Sequence, residues 1–275
     1  MERRSVRLGD WELVALRDAF FRLDGGSMFG VIPKVLWDRK KPADERNRIH
    51  LGLNCLLVKS PNWTALIEAG IGDKIAPADE DIYGLERETG LPAELAAEGL
   101  ETDDIDFVIL SHLHLDHCGW ATVRDGDSYH PTFKQARYII QKSEWQAAAK
   151  PDRRSRASYD SRNFEALQKG GVLHLVDGEH EVLPGIRVMH TGGHTWGHQI
   201  VVLESGDSRC VFLGDLVPTL AHFKTNWHMS WDLFPLELMA VKEGLLREAA
   251  ERDDLLFFTH EDGEAFARAG ILGEV

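Results

Sequence analysis

The sequence contains little cysteine, no long hydrophobic run and no excess of basic residues. Its 3 cysteines among 275 residues are too few and too widely spaced for a disulfide framework, so we expect buried free thiols and a cytoplasmic location. No stretch approaches the ~18 uncharged apolar residues that a membrane span needs, and the N-terminus shows no signal-peptide pattern. These absences predict a protein without a membrane partner.

Basic residues are outnumbered by acidic ones. The chain has 31 Lys and Arg against 45 Asp and Glu, which leaves a net charge of −14. An acidic surface opposes phosphate backbones, so nucleic acid is excluded as a general partner. The 43% of hydrophobic residues is typical of a globular protein, and a chain of this length can build a sufficient core without cross-links. We therefore expect a single domain spanning residues 1–275.

Short apolar segments rich in β-branched and aromatic residues alternate with turns along the chain. They predict strands at 12–16, 53–58, 64–68, 107–110, 136–141, 172–176, 186–190, 199–203, 210–213 and 255–259. Helical patterns occur at 91–98, 142–149, 164–170 and, most clearly, 235–250. Many strands with few helices favour two stacked mixed sheets covered by helices over a regular βαβ array.

Three of the 13 histidines fall within six residues, directly after the apolar strand 107–110. These are His112, His114 and His117, and Asp116 lies among them. A strand end can direct a tight loop of side chains toward one point. Because imidazole and carboxylate are the ligands that Zn²⁺ and related ions use when thiolates are absent, this loop predicts a metal site.

More groups that can bind a metal follow other predicted strands. His194 and His198 lie in a glycine-rich turn after strand 186–190, Asp215 follows strand 210–213, and His260 ends the last strand. Convergence of these strand ends on one metal site is the simplest explanation. For His198 two alternatives stay open: it supports the site from behind the ligands, or it is a structural histidine of the turn.

The motifs H-x-H-x-D-H at 112–117, G-H-T-x-G-H at 193–198 and G-D at 214–215, followed by His260, resemble the metallo-β-lactamase superfamily. The resemblance covers residues from about 51 to 261 in the expected order. It implies an α/β fold, a four-layer αββα sandwich of two mixed β-sheets with metals at one edge. Glu68 stands where the family usually has an aspartate, which implies a supporting position behind the metal ligands.

The resemblance also implies a ligand set for two divalent metal ions. One ion would be held by His112, His114 and His194, the other by Asp116, His117 and His260, and Asp215 would bridge both. Histidine and carboxylate sites accept several metals; we expect zinc, with iron or manganese as alternatives.

A two-metal site of this kind implies a hydrolase. The ions would activate a bridging hydroxide and polarise the bond under attack, and Asp116 would be catalytic by orienting the nucleophile or passing a proton to the leaving group. Architecture favours the lactonase-like or organophosphate-hydrolase-like branch, so the expected substrate is a small ester or lactone. Phosphotriesterase-like activity, glyoxalase II-like thioester hydrolysis and a non-catalytic metal-binding sensor are the alternatives.

Two aromatic segments are candidates for the substrate pocket. Residues 1–50 include a segment resembling the N-terminal cover of lactonase-like relatives, and residues 215–231 follow the bridging aspartate. We predict that five side chains bind substrate, with the alternative that they fill the core: Phe29, His222, Phe223, Trp227 and Trp231. Exposed apolar residues in the cover would also permit a homodimer.

Two charge runs, 38–48 and 151–156, have no place in the motifs. We expect solvated loops, and the alternative is anion capture near the mouth of a pocket.

Overall fold

The computed structural model describes residues 5–272 and contains two large β-sheets. The strands are β1 (Ser5–Leu8), β2 (Trp11–Asp24), β3 (Arg48–Lys59), β4 (Thr64–Ile67), β5 (Phe107–Ile109), β6 (Thr122–Asp125), β7 (Ser128–Pro131), β8 (Arg137–Gln141), β9 (Leu173–Val176), β10 (His180–Leu183), β11 (Ile186–His190), β12 (Gln199–Ser205), β13 (Ser208–Phe212), β14 (Leu255–Phe257) and β15 (Phe266–Arg268). The α-helices are α1 (Gly25–Phe29), α2 (Lys34–Trp37), α3 (Pro77–Tyr83), α4 (Leu91–Ala97), α5 (Lys142–Ala149), α6 (Glu165–Lys169) and α7 (Pro235–Arg252). Over this part of the chain, no helix has both the length and the hydropathy to cross a bilayer.

Both large sheets are mixed, as predicted. The first has the order β1-β2-β3-β4-β5-β8-β9, antiparallel up to β4 and parallel from β4 to β9. The second has the order β10-β11-β12-β13-β14-β15, and only its β13–β14 pair is parallel. Strands β6 and β7 form a separate hairpin.

The first sheet is buried on both faces, and alternation along β3 shows how. Cys55 and Leu57 pack in one apolar cluster with Leu91 of α4. Leu56 and Val58, which point the other way, pack in a second cluster that includes residues of both sheets. A strand between a helix layer and another sheet therefore reads as a continuous apolar run.

The second sheet has the same arrangement. Ile200 and Val202 of β12 pack with Leu238 of α7, whereas Val201 and Leu203 face the cluster between the sheets. The layers are thus helices, sheet, sheet and helices. Burial of each such side chain contributes about 1.5–3 kcal/mol to folding, so this core is the main support of the strand ends.

Helix α7 begins close to the predicted position and extends two residues beyond the predicted end. Pro235 stands in its first turn, where the missing N–H costs nothing, and the helix ends before Asp253 in a left-handed conformation. Leu245 and Leu246 are buried as the periodicity predicts, but Leu236 is exposed.

Strand β2 is much longer than the predicted 12–16. It continues to Asp24 and pairs with β3 along its whole length, with a shift in register between Arg17 and Ala19. The bulge places Asp18 inside, where its carboxylate accepts hydrogen bonds from the backbone N–H groups of Ile71 and Leu91. These charged residues interrupt the apolar pattern, which is why the sequence prediction ended too early.

Candidate metal centre

Four strand ends meet at one edge of the two sheets. The segments after β5, β11, β13 and β14 bring together all the side chains predicted as metal ligands, which are His112, His114, Asp116, His117, His194, Asp215 and His260. Six are buried, and Asp116 is partly exposed. Side chains up to 148 positions apart in sequence, from 112 to 260, therefore share one small volume.

The ligand atoms form two groups. We call the first the three-histidine group; it consists of His112, His114 and His194. We call the second the mixed group; it consists of Asp116, His117 and His260. Within each group the ligand atoms lie within 4.8 Å of one another, close enough to coordinate a single ion.

Asp215 lies between the two groups. Its Oδ2 atom is 3.2 Å from Nε2 of His194, in the three-histidine group. Its Oδ1 atom is 3.2 Å from Nε2 of His260 and 3.6 Å from Nε2 of His117, in the mixed group. One carboxylate can therefore contribute an oxygen to each side.

The donor atoms fit divalent cations. Nε2 of His112 and Oδ1 of Asp215 are buried without a hydrogen-bond partner among residues 5–272, and Nδ1 of His114 faces Nε2 of His194 at 3.2 Å. Buried polar atoms are rarely left unpaired in folded proteins because their desolvation is costly. Two such atoms in one nitrogen and oxygen cluster are explained by coordination of a metal with the preferences of zinc.

Burial and charge act differently on the two groups. Burial, together with the surrounding imidazoles, holds the pKa of His112 and His114 well below the ordinary range, so both stay neutral as metal ligands must. For His117 burial alone would lower the pKa, but the carboxylates of Asp116 and Asp215 raise it well above the ordinary value. The mixed group thus contains a carboxylate of its own, which the three-histidine group lacks.

The chain matches the sequence profile of the metallo-beta-lactamase superfamily over residues 50–260. That match spans most of the chain and includes every predicted ligand. The chain belongs to the metallo-beta-lactamase superfamily. The family assignment confirms the predicted α/β sandwich of two mixed sheets.

Several curated members of this superfamily are similar to the chain. The N-acyl homoserine lactonase of Bacillus cereus is 25% identical over 78% of the chain and 83% of its own length. The N-acyl homoserine lactonase of Rhizobium radiobacter is 25% identical over 77% of the chain and 82% of its own length.

Solved structures of the superfamily superpose over almost the whole chain. A probable metal-dependent hydrolase from Staphylococcus aureus is 31% identical, with a TM-score of 0.91, covering 96% of this chain and 94% of that one. A dizinc quorum-quenching lactonase in complex with a product is 20% identical, with a TM-score of 0.78, covering 97% and 92%. The second likeness is one of fold.

Behind the metallo-beta-lactamase ligands, a further contact fixes each of several imidazoles. Nδ1 of His194 lies 2.7 Å from a carboxylate oxygen of Asp232. Nδ1 of His260 donates to the carbonyl oxygen of Gly52 at 3.0 Å. Glu68, with a left-handed φ of 70°, places Oε2 3.4 Å from Nδ1 of His117. Such partners orient the rings and leave the opposite nitrogen free for a metal.

His198 holds the backbone of the central aspartate. Its Nε2 atom accepts a hydrogen bond from the N–H of Asp215 at 3.0 Å, so the proton is on Nδ1, which donates to Oγ1 of Thr191 at 2.6 Å. Burial lowers the pKa of His198 to about 3, which keeps this neutral form. Gly214 permits the approach, because a Cβ there would lie 2.6 Å from Nε2 of His198. The residue is therefore both structural and in contact with the site.

Two buried acids of the site were missed by the sequence analysis. Asp232 contacts His194 from beyond the aromatic segment. Glu144 lies in the first turn of α5 and accepts three hydrogen bonds from the loops that carry the candidate ligands and one from Tyr159. Neither belongs to a motif. The acid in the first turn of α5 has an ordinary explanation, the helix dipole, so the sequence offered no signal for either contact.

A cavity of about 180 Å³ opens onto the ligands. Its wall includes five of the candidate ligands, His114, Asp116, His194, Asp215 and His260. The other lining residues come from the N-terminal segment, the end of α3, the loops after β5 and α5, and the loop before α7: Phe21, Leu23, Met28, Tyr83, Leu115, Ala157, Ser158, Met229 and Trp231. A larger cleft, of about 960 Å³ beside Arg17, contains none of the candidate ligands.

Of the five side chains predicted to bind substrate, Trp231 lines this cavity and the other four do not. These four depart from the predicted position in that they are buried in the core: Phe29, His222, Phe223 and Trp227. Phe29 stacks on His222 with ring centroids 4.5 Å apart and meets Trp227 edge-on. Phe223 packs against the α7 layer. This packing is what the alternative, that these aromatics fill the core, predicts.

Apart from Lys41 and Ser155, the residues of the two charge runs are at least partly exposed, as expected of solvated loops, but one basic side chain of each run contacts a segment of the site. Lys41 is buried and pairs with the carboxylates of Glu261 and Asp262, next to the ligand His260. Arg154 extends from the second run and donates to the carbonyl oxygens of Ser230 and Asp232 at 2.5 and 3.1 Å. Each run therefore holds a segment of the site in place.

Proposed function

We propose that the chain is a dinuclear metal-dependent hydrolase that opens a small lactone or cleaves a related ester. The observation that carries the proposal is the pair of ligand groups joined by Asp215 beneath an apolar cavity. Similarity to N-acyl homoserine lactonases over more than three quarters of the chain supports the lactone as substrate class.

In this proposal His112, His114 and His194 hold one ion, Asp116, His117 and His260 hold the other, and Asp215 is shared. When bound, a pair of divalent cations supplies Lewis acidity toward the carbonyl oxygen of the substrate and toward water. Zinc is the expected metal, with iron or manganese as alternatives, because all three accept imidazole and carboxylate.

Asp116 is the proposed catalytic residue. It is the partly exposed member of the ligand set, and its Oδ2 atom lies 3.5 Å from Nε2 of His117 and 3.6 Å from Nε2 of His260. Because it also lines the cavity, its carboxylate can take a proton from the attacking water and deliver it to the leaving alkoxide.

Apolar side chains give the proposed pocket its preference. Phe21, Leu23 and Met28 come from the N-terminal segment within residues 1–50, and Met229 and Trp231 close the opposite side. These walls exclude bulk water and suit an uncharged substrate with an apolar arm. The N-terminal segment is thus proposed as the cover of a single hydrolase domain spanning residues 1–275.

The proposal also includes a homodimeric assembly and a cytoplasmic location. A homodimer is supported by three exposed apolar side chains after α1, Val31, Val35 and Leu36. A cytoplasmic location is supported by free, buried thiols at Cys55, Cys118 and Cys210. Sedimentation of the purified chain tests the first, and fractionation of its source cells tests the second.

The decisive experiment is removal and return of the metal. The protein is stripped with a chelator, its metal content is measured, and Zn²⁺, Mn²⁺ or Fe²⁺ is titrated back while a panel of lactones, esters, phosphotriesters and thioesters is assayed. We expect turnover of lactones that rises to a plateau near two ions per chain. Full activity in a metal-free preparation would refute the proposal, and metal binding without turnover of any substrate would favour a sensor.

A further inference from the structure

The two ligand groups differ in their own negative charge. The mixed group contains Asp116, whereas the three-histidine group consists of imidazoles alone and shares only Asp215. A dication held by neutral ligands is favoured by an anion placed behind them. The three-histidine group therefore needs a nearby anion from a residue outside the ligand set.

Glu144 is fully buried beside that group. Its Oε1 atom accepts hydrogen bonds from the N–H of Leu113 at 2.9 Å and from the hydroxyl of Tyr159 at 3.0 Å. Its Oε2 atom accepts from the hydroxyl of Thr195 at 2.6 Å and from the N–H of Gly197 at 3.1 Å. Backbone N–H groups can only donate, so one stands on each oxygen and the arrangement fits a carboxylate.

Three of the four donors lie in the loops that carry the three histidines, and the fourth, Tyr159, lies between α5 and α6. Leu113 separates His112 from His114, and Thr195 directly follows His194. Burial and Glu144 raise the pKa of Tyr159, which keeps its hydroxyl a donor. The carboxylate therefore joins two loops that are about 80 positions apart, 113 and 195, through hydrogen bonds on both sides.

Two further observations separate Glu144 from an ordinary buried ion pair. It forms no ion pair with a Lys, Arg or His within residues 5–272, so its charge is balanced by dipoles alone until a cation enters the site. The turn at Gly197 also packs directly on the start of α5, because a Cβ at 197 would lie 2.2 Å from the backbone nitrogen of Glu144.

We propose that Glu144 is a positioning residue that determines the metal affinity of the three-histidine group, separately from the mixed group. It holds the two loops at the spacing that one ion needs and supplies the negative charge that the imidazoles lack. Glu68 has the matching position on the other side, where its buried carboxylate accepts from the N–H of Ser111 at 3.0 Å and faces His117. The inference rests on the proposed two-metal centre.

The test compares Glu144→Gln with Glu68→Gln, and with Glu165→Gln at the exposed start of α6 as a charge-matched control. Each substitution is placed in His260→Ala, which leaves the three-histidine group intact, and in His194→Ala, which leaves the mixed group intact. Zinc affinity is measured by competition with a chelator, and Co²⁺ absorption spectra report the coordination of the remaining ion.

We expect Glu144→Gln to weaken zinc about 10–100-fold in the His260→Ala background and to leave the His194→Ala background unchanged. Glu68→Gln should do the reverse, and Glu165→Gln should change neither. Equal loss in both backgrounds, or no loss in either, would overturn the inference.

Folding is controlled separately. Circular dichroism of the metal-free variants reports whether each one folds. If Glu144→Gln does not fold, Thr195→Val replaces it in the test, because this substitution removes a single donor to Oε2 of Glu144. Thr195→Val should weaken the same group by a smaller factor, and unchanged affinity would count against the inference. If the unsubstituted chain bound no metal at all, the proposed two-metal centre would be refuted. If the chain bound two ions and Glu144→Gln left their affinity unchanged, only the inference about Glu144 would be refuted.

Discussion

Asp232 and His194 form a buried pair with Nδ1 2.7 Å from the carboxylate, and the opposite nitrogen of the ring faces Asp215 at 3.2 Å. The second oxygen of Asp232 accepts from the N–H of Met229 at 2.7 Å. One side chain therefore orients a metal ligand and anchors the loop that closes the cavity. Carboxylate partners of this type make the imidazole a stronger ligand.

Asp232→Asn should weaken metal binding about 10–100-fold and lower kcat when zinc is limiting, because the amide no longer provides a negative charge to His194. Metal content after dialysis and a zinc titration of activity measure both effects. Asp207→Asn, in the exposed turn between β12 and β13, is the control and should behave like the unsubstituted protein. Unchanged zinc affinity in Asp232→Asn would contradict the assignment.

His198→Phe should lower the free energy of unfolding by about 1–3 kcal/mol, because the N–H of Asp215 and the hydroxyl of Thr191 lose their buried partner. Chemical denaturation of the metal-free protein measures this loss without any contribution from metal. His174→Phe, at an exposed position of β9, should change stability by less than about 0.5 kcal/mol. Equal effects of the two substitutions would argue against the hydrogen bonds described for His198.

Trp231 and Trp227 offer a matched pair of substitutions. Trp231 lines the cavity, whereas Trp227 packs in the core against Phe29. Trp231→Ala should raise KM for lactones with little change in stability, and Trp227→Ala should cost about 3–5 kcal/mol in unfolding free energy. Steady-state kinetics measure KM and thermal denaturation measures stability for both variants. A raised KM in Trp227→Ala and a large loss of stability in Trp231→Ala would show that the substrate does not bind in this cavity.

Lys242 predicts a pH dependence of stability. Burial lowers its pKa to about 7, although Asp232 opposes the shift, and its ammonium donates to the carbonyl oxygen of Trp227 at 2.8 Å. The unfolded lysine titrates near its ordinary value of about 10.4, so the unfolded state binds more protons between these two pKa values. Stability should therefore rise by about 1.4 kcal/mol per pH unit above pH 7 from this group, and its penalty is complete below pH 7.

Lys242→Met should remove that dependence. We expect the variant to be more stable than the parent at pH 6 and to converge with it near pH 10, measured as Tm of the metal-free proteins across the range. Lys134→Met provides the control on an exposed lysine and should leave the slope unchanged. A parent protein whose stability is flat between pH 7 and 10 would show that burial does not lower the pKa of Lys242 in the folded state.

The cluster of candidate metal ligands was predictable because its signal is local. The loop after β5 carries four of them within six positions, 112–117, and the remaining ones each follow the end of an apolar strand. Strand ends at one edge of stacked sheets meet in space, so the spacing in sequence is enough to predict the cluster. The supporting acids Asp232 and Glu144 were not predictable, since their contacts depend on how distant loops pack.

The positions of the aromatic residues could not be predicted from the sequence. Phe29 and Trp231 stand in segments of similar composition, yet one is enclosed between Trp37 and His222 and the other lines the cavity. Composition indicates that a side chain avoids water, but it does not distinguish a core from a pocket wall. Likewise, the short edge strands β1, β10 and β15 carry too few alternating residues to be recognised before their partners are known.

Because β3 is apolar on both faces from Cys55 to Val58, its alternation cannot distinguish the native pairing from one displaced by a single residue. Asn54 distinguishes the two alignments, because in the native one its amide donates hydrogen bonds to the carbonyl oxygens of Phe258 and Glu261, at 3.1 and 2.8 Å. Those carbonyls flank His260. A pairing of β3 displaced by one residue would still bury apolar side chains, but it would break these two hydrogen bonds and move the segment that carries His260. The amide of Asn54 therefore links the correct strand alignment to the position of a candidate metal ligand.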